Sequence, residues 1–209
     1  VLEVKLSNMI DSIKQKLEKL NPLNDSNKTK AAVFIGILYF DDYIESPEIL
    51  FTVRSSKVST HSGEVSFPGG KWEQADKNLC ETALRESEEE LNLKSSNVNN
   101  LGALNYLISR HDIEVNPFVG LITTKQDFVA NDEIEKIFTV PLNFLLNPSN
   151  LINQEIERKN VKVNIPSWVY NDNRIWGLTA MITADFLNIC FDAGIAVSYT
   201  HLTLPTTLL

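Results

Sequence analysis

Residues 85–90 read Arg-Glu-Ser-Glu-Glu-Glu, and Phe-Pro-Gly-Gly-Lys stands shortly before them at 67–71. Four of the six residues are carboxylates, and like charges four apart on a helix repel each other. Apolar segments flank the run, so it is not a solvated tail. At about 100° per residue, with Arg85 at zero, Glu89 falls near ~40°, Glu86 near ~100° and Glu90 near ~140°. One side of a helix then carries Arg85, Glu86, Glu89 and Glu90. Cys80, Leu84, Ser87 and Leu91 gather on the opposite side and predict the core face. Glu88 falls between the two and reads as solvated. The helix alone leaves two readings: a solvated acidic face turned away from the core, or a site for a hard cation. Mg²⁺ takes one or two carboxylates together with water and substrate phosphate.

Composition bounds the rest. The chain has 209 residues, 43% of them hydrophobic, with a net charge of −8, which suits one domain with a real core. The acidic balance argues against non-specific nucleic-acid binding, which needs basic patches. It leaves room for a phosphate-bearing substrate, because a bound metal reverses the local charge. Cys80 and Cys190 make neither a disulfide scaffold nor a zinc pattern, as expected of a reduced intracellular compartment. No apolar run reaches the ~18 residues of a membrane span, and no secretory signal pattern opens the chain. The chain begins at Val1 rather than Met, so it reads as a fragment or a processed form.

In order, residues 4–20 place Val4, Leu6, Met9, Ile10, Ile13, Leu17 and Leu20 at helical spacing and predict an amphipathic packing helix ended by Asn21-Pro22. Residues 24–30 are a polar loop. Ala31–Phe40 and Glu48–Val53 are strand candidates joined by a hairpin-like connection. Residues 54–70 form a long, polar, glycine-bearing loop of functional length, in which Gly69 and Gly70 permit close approach to a ligand. The acidic helix is predicted over about 78–91, with Asn92 near its C-cap. Leu101–Ile108 and Val115–Thr123 follow as strands, and Asn116-Pro117 in the second predicts an edge or a bulge. A polar loop at 131–133 precedes a strand over 134–140 and a short helix entered through Pro141. Residues 153–165 predict a charged hairpin and 174–191 a long helix. Strands interleaved with two substantial helices give an α/β class, an α/β/α sandwich around a mixed β-sheet.

Laid out in this way, the middle of the chain resembles the Nudix hydrolases. Their box reads G-x5-E-x7-R-E-U-x-E-E-x-G-U, where U is aliphatic. Arg85-Glu86, Glu89-Glu90 and Leu93 match it. Ser87 replaces an aliphatic residue and Asn92 the last glycine. The spacing from Gly70 to Arg85 is one residue longer than the box, and Lys77 stands where the isolated glutamate belongs. Asp76 supplies that acid if the loop bulges by one residue. Upstream, Leu50-Phe51-Thr52-Val53-Arg54-Ser55, Gly63 and Phe67-Pro68-Gly69-Gly70 resemble the coenzyme A diphosphatase pattern LLTxR[SA]-x3-R-x3-G-x3-FPGG. Phe51 replaces a leucine and Ser59 replaces the second arginine, with Lys57 the nearest substitute cation. Residues 175–180 resemble the terminal-helix segment of the same subfamily. The resemblance covers about residues 31–192, leaving residues 1–30 as an N-terminal helix and loop and 193–209 as a tail.

The resemblance implies a Nudix fold and a diphosphatase that cleaves coenzyme A or acyl-CoA to 3′,5′-ADP and (acyl-)4′-phosphopantetheine. Glu86 and Glu90, with Glu89 as third ligand or water partner, would hold Mg²⁺ or Mn²⁺. Arg85 reads as a guanidinium fork orienting a carboxylate, with direct substrate contact the alternative. Gly69 and Gly70 approach the diphosphate. Arg54 contacts phosphate or forms a surface ion pair. The general base is Glu133 or Glu89, both within the catalytic set. His61, His111 and His201 form no cluster, Cys80 reads as core, and Trp176 reads as core with base stacking the alternative. Two other functions remain: a diphosphatase of NADH or ADP-ribose type, suggested by Ser59, and a non-catalytic nucleotide-binding module, suggested by Lys77 and Asn92. Some relatives are peroxisomal and end in a Ser-Lys-Leu-type signal, whereas this chain ends Thr207-Leu208-Leu209. Residues 196–209 read as foreign sequence or as an extra edge strand. A small molecule is the expected partner.

Overall fold

The computed structural model describes residues 2–21, 23, 25–56, 63–158 and 161–198. The readings made at Lys57, Ser59, His61, His201 and most of the tail lie outside these residues. In chain order the elements are α1 (Leu2–Glu18), β1 (Lys30–Leu38), β2 (Glu48–Arg54), β3 (Val65–Ser66), β4 (Gly69–Lys71) and α2 (Leu79–Leu91). Then follow β5 (Val98–Ala103), β6 (Leu107–Ile108), β7 (Glu114–Ile122), β8 (Ile134–Pro141) and α3 (Leu142–Leu146). Last come β9 (Ile152–Arg158), β10 (Val161–Tyr170), β11 (Asn173–Ile175) and α4 (Gly177–Phe191).

The sandwich expected from the sequence is present. β1 is an apolar run buried on both faces, as a central strand must be. Ala32, Phe34 and Leu38 pack with Ala83 and Leu91 of α2 on one side. Ile35 and Ile37 face the other core, with Ile13 and Leu17 of α1 and Phe186 and Leu187 of α4. The main sheet is mixed: β1 runs parallel to β7 and antiparallel to β2 and β4. A smaller antiparallel sheet, in the order β11-β10-β9, carries the charged hairpin and buries Trp168 completely.

One irregularity positions the site. β1 and β2 pair only at Ile37↔Ile49 and Leu38↔Glu48 and then part. β3 continues along β2 at Thr52↔Ser66 and Val53↔Val65. β4 continues along β1, from Ala31↔Lys71 to Val33↔Gly69. The Phe67–Gly70 segment therefore lies in a fork of the sheet, held by the Phe34 N–H donating to Pro68 O at 2.9 Å.

Several expectations need correction. The long polar loop contains the two short strands β3 and β4. Leu101–Ile108 is two strands, β5 and β6. Pro117 is not in an edge strand: β7 is central, its ladder with β5 shifts register opposite Val119 and Gly120, and Pro117 lies opposite the break between β5 and β6, where Leu104 N–H donates to its carbonyl at 2.9 Å. A proline there removes no ladder bond. The last helix starts at Gly177, because Ile175 is claimed by β10 through Trp168↔Ile175. Trp176 is 42% exposed rather than core, with the Arg174 guanidinium 6.0 Å from its ring centroid. Cys80 and Leu84 are only half-buried, whereas Ala83, Ser87, Glu90 and Leu91 are buried. The helix is thus rolled towards its acids, and the acid face is not turned away from the fold.

Candidate active site

The ends of α2 are fixed by residues on either side of the acids. The Asn78 side chain accepts from Glu81 N–H at 3.0 Å, and Glu81 accepts from Lys77 N–H at 2.6 Å, a reciprocal arrangement close to a capping box. At the other end Asn92 adopts a left-handed conformation, and its N–H donates to Glu88 O. Asparagine tolerates that conformation, so it can take the place of glycine here. Ser87 is buried, and its hydroxyl donates to Ala83 O at 2.6 Å, so a polar residue stands in an aliphatic position without an unmet bond.

Glu90 points into the fork. It is 4% exposed, and its Oε2 accepts from Gly69 N–H at 3.1 Å. Burial pushes its carboxyl up to about 7, against the pull of that bond and of Arg54. Glu86, half-buried, is also raised, mainly by burial. Both glycines are required by close approach. Gly69 has φ +150° and a Cβ there would overlap Ala32 O, whereas a Cβ at Gly70 would overlap the Glu86 carboxylate.

Arg85 organises the other flank. Nε and Nη2 donate to Asp76 at 2.9 and 3.1 Å, and Nη2 also donates to Lys71 O at 3.2 Å. Nη1 lies 3.1 Å from Glu86 and 3.3 Å from Glu89. Asp76 is buried and also accepts from Thr82 Oγ1 at 2.9 Å and Glu73 N–H at 3.1 Å. The Arg85 guanidinium holds the Asp76 carboxyl down at about 2, and Asp76 in turn raises Arg85. The main partner of the fork is therefore Asp76 rather than Glu89. The extra residue in the loop brings this aspartate, not Lys77, to the helix.

Arg54, at the end of β2, reaches towards Glu90 Oε1 at 3.9 Å and Glu133 Oε2 at 3.7 Å. Glu133 is exposed, but its backbone is anchored: its carbonyl accepts from Ser55 N–H at 2.7 Å, while Asn131 N–H donates to Glu90 O at 3.1 Å. Glu86, Glu89, Glu90, Arg54, Arg85, Glu133, Gly69 and Gly70 are thus joined through shared contacts. Ser55, Thr82 and Asn131 complete the framework; Ser55 lies in the upstream motif, and no local sequence signal singles out the other two. Among the described residues no three acidic, histidine or cysteine side chains already converge on one cation position. Glu86 and Glu89 are turned to Arg85, and Glu90 to Gly69. An open cleft of about 860 Å³ follows the outer flank of α2 past Lys77, Cys80, Leu84 and Glu88, with Arg85 and Glu89 at its rim. It does not include Glu90 or Arg54.

A mixed sheet between helical layers, with an acid-bearing helix docked on a Gly-Gly strand, defines a Nudix-type α/β/α sandwich. The family model described as NUDIX domain matches residues 31–158, and the chain belongs to the Nudix hydrolase family. It is 38% identical to "Nudix hydrolase 15, mitochondrial" of Arabidopsis thaliana, over 84% of this chain and 65% of that protein. The chain therefore spans just under two thirds of the plant relative. It is 35% identical to "Uncharacterized Nudix hydrolase NudL" of Pectobacterium atrosepticum, over 78% of this chain and 82% of that protein. The structure of a MutT/nudix family protein from Enterococcus faecalis superposes with a TM-score of 0.50 at 15% identity, covering 84% of this chain and 66% of that one. That likeness shows the fold alone. The peroxisomal expectation finds no support in these two relatives' names. Among the described residues no helix is long and apolar enough to cross a membrane.

Proposed function

We propose that the chain is a metal-dependent diphosphatase acting on coenzyme A or a CoA ester, releasing 3′,5′-ADP and (acyl-)4′-phosphopantetheine. The observation that carries this reading is the meeting of two motifs. The Leu50–Gly70 segment, which resembles the coenzyme A diphosphatase pattern, is hydrogen-bonded to the acid helix through Gly69 N–H and Glu90. Gly70 lies directly against the Glu86 carboxylate.

The donor set suits Mg²⁺ or Mn²⁺. Glu86 and Glu90 are carboxylates four residues apart, and both have pKa values raised by burial, so the charged forms lack full compensation until a cation arrives. Glu86 and Glu90 are the proposed ligands, with Glu89 as third ligand or water partner. A divalent ion there would neutralise the diphosphate and lower the pKa of the attacking water. Gly69 and Gly70 let the backbone approach the phosphates. Arg85, braced by Asp76, holds Glu86 and Glu89 in place. Glu133 is the proposed general base. It stands on the open side of Arg54, whereas Glu89 is engaged by Arg85.

Mass spectrometry of the products from CoA and Mg²⁺ tests the reading. The expected products are 3′,5′-ADP and 4′-phosphopantetheine, and Glu90→Gln should lower kcat at least about a hundredfold. Full activity of Glu90→Gln would overturn the metal assignment. Turnover of NADH or ADP-ribose ahead of CoA would overturn the substrate.

A further inference from the structure

Among the described residues, Arg54 is a largely enclosed cation short of hydrogen bonds. Its backbone is fixed: the N–H donates to Glu64 O at 3.0 Å, and the carbonyl accepts from Gly63 N–H at 2.9 Å. Its side chain is only 22% exposed. Nε is buried and has no hydrogen-bond partner among the described residues. Its terminal nitrogens stand 3.9 Å from Glu90 and 3.7 Å from Glu133, beyond ordinary hydrogen-bond distance. Arg85, on the other flank, donates from both edges of its guanidinium to Asp76, Lys71 and Glu89.

A guanidinium carries five donors in a rigid fork suited to oxyanions. A buried donor without a partner calls for an explanation. Charge supplies one. Arg54 lies between two carboxylates of the site, Glu90 and Glu133, and balances both without bonding tightly to either. It occupies the electrostatic role that a divalent ion at Glu90 would take over. Two cations then compete for one buried carboxylate.

We propose that Arg54 couples metal binding to diphosphate binding. This rests on the metal-dependent diphosphatase reading above. Without metal, whenever Glu90 is ionised, Arg54 is the nearest cation to it among the described residues. A divalent ion on Glu90 repels the guanidinium, whose unused donors then turn to the diphosphate oxygens. Diphosphate, by engaging Arg54, removes the competitor for Glu90. Each ligand therefore strengthens the other, as linkage requires. Arg54 becomes the residue through which the site responds to both.

The test uses Mn²⁺ and methylenediphosphonate, a diphosphate that is not hydrolysed. Mn²⁺ affinity is read by electron paramagnetic resonance, and diphosphonate affinity by calorimetry with and without Mn²⁺. Arg54→Ala should bind Mn²⁺ alone about five- to tenfold more tightly than the wild type. It should also lose about tenfold of the mutual enhancement between the two ligands, within the usual range of coupling. Arg54→Lys keeps the charge and should keep the wild-type Mn²⁺ affinity, while losing diphosphonate affinity because the fork is gone. Arg54→Gln, of similar length, gives the same reading as Arg54→Ala where the smaller side chain impairs folding, with a circular-dichroism melt as control. Unchanged or weaker Mn²⁺ binding by both neutral variants overturns the proposal and leaves the metal-dependent reading standing. A wild-type protein that binds no Mn²⁺ overturns both.

Discussion

Asp76 and Glu90 are buried carboxylates with opposite consequences. Asp76 is held down at about 2 by Arg85, so between its ordinary value of 3.8 and about 2 the unfolded chain binds more protons than the folded one. Its contribution is present above pH 3.8 and is lost as pH falls towards 2. Asp76→Asn should cost about 1.5–3 kcal/mol at pH 7, typical of charge-assisted bonds. Urea melts of the two proteins should converge between pH 4 and pH 2, and equal stability at pH 7 would refute the role given to Asp76. Glu90 runs the other way. With its carboxyl pushed up to about 7, the folded metal-free protein holds a proton that the unfolded chain releases near 4.5. Its contribution therefore falls as pH rises from 4.5 to 7. Metal-free Glu90→Gln should lack this loss and be more stable than wild type at pH 8. Thermal melts in chelator at pH 5 and pH 8 would measure the difference.

The adjacent glycines of β4 separate fold from function. A methyl group at Gly69 meets the backbone of β1, at a φ that residues with a Cβ rarely adopt. Gly69→Ala should therefore cost about 2–4 kcal/mol. The atoms nearest to a methyl group at Gly70 are the carboxylate end of the Glu86 side chain, which can swing away. Gly70→Ala should melt close to wild type and lose metal affinity and activity by about ten- to a hundredfold, the scale of a displaced ligand. Melting curves and Mn²⁺ titration of the two variants would check this, and a wild-type Mn²⁺ affinity in Gly70→Ala would contradict it. Much of this element scale was legible in the sequence. The apolar run of β1, the Asn92 cap and the acid spacing of α2 are all local signals. The roll of α2 was not legible. A helical wheel gives angles between residues, but not which angle meets the sheet. Here Glu90 turns inward because Gly69-Gly70 leaves space opposite it. The fork that makes this space arises where β1 and β2 stop pairing, a non-local event without a local signature. Trp176 departs from its core expectation for a similar reason: its apolar neighbours suit a helix, but Ile175 pairs in β11 and leaves the tryptophan outside.

At the scale of the whole molecule, two cores hold the sheet at different places. α1 and α4 cover one face, and α2, with Tyr43 and Phe128 beside it, covers the other. The motifs of the resemblance span both cores, with Leu50 and Leu93 under α2 and Phe51, Phe67, Ile175 and Ala180 on the other side of the sheet, and so they carry the whole fold. Glu133, one of the two candidate bases, is distant in sequence from the acid helix, and its segment is tied to the site through Asn131 and Ser55. That anchoring has a dynamic consequence. Val129 and Asn131 donate their amide hydrogens to the carbonyls of Leu91 and Glu90, at 3.0 and 3.1 Å. These are end-of-helix carbonyls, which the helix itself leaves unsatisfied. The segment leading to Glu133 is thus fastened to the last turn of α2 and should open with it as one cooperative unit. In deuterium exchange the amides of Val129 and Asn131 should show protection close to that of the α2 amides, although they lie in a loop.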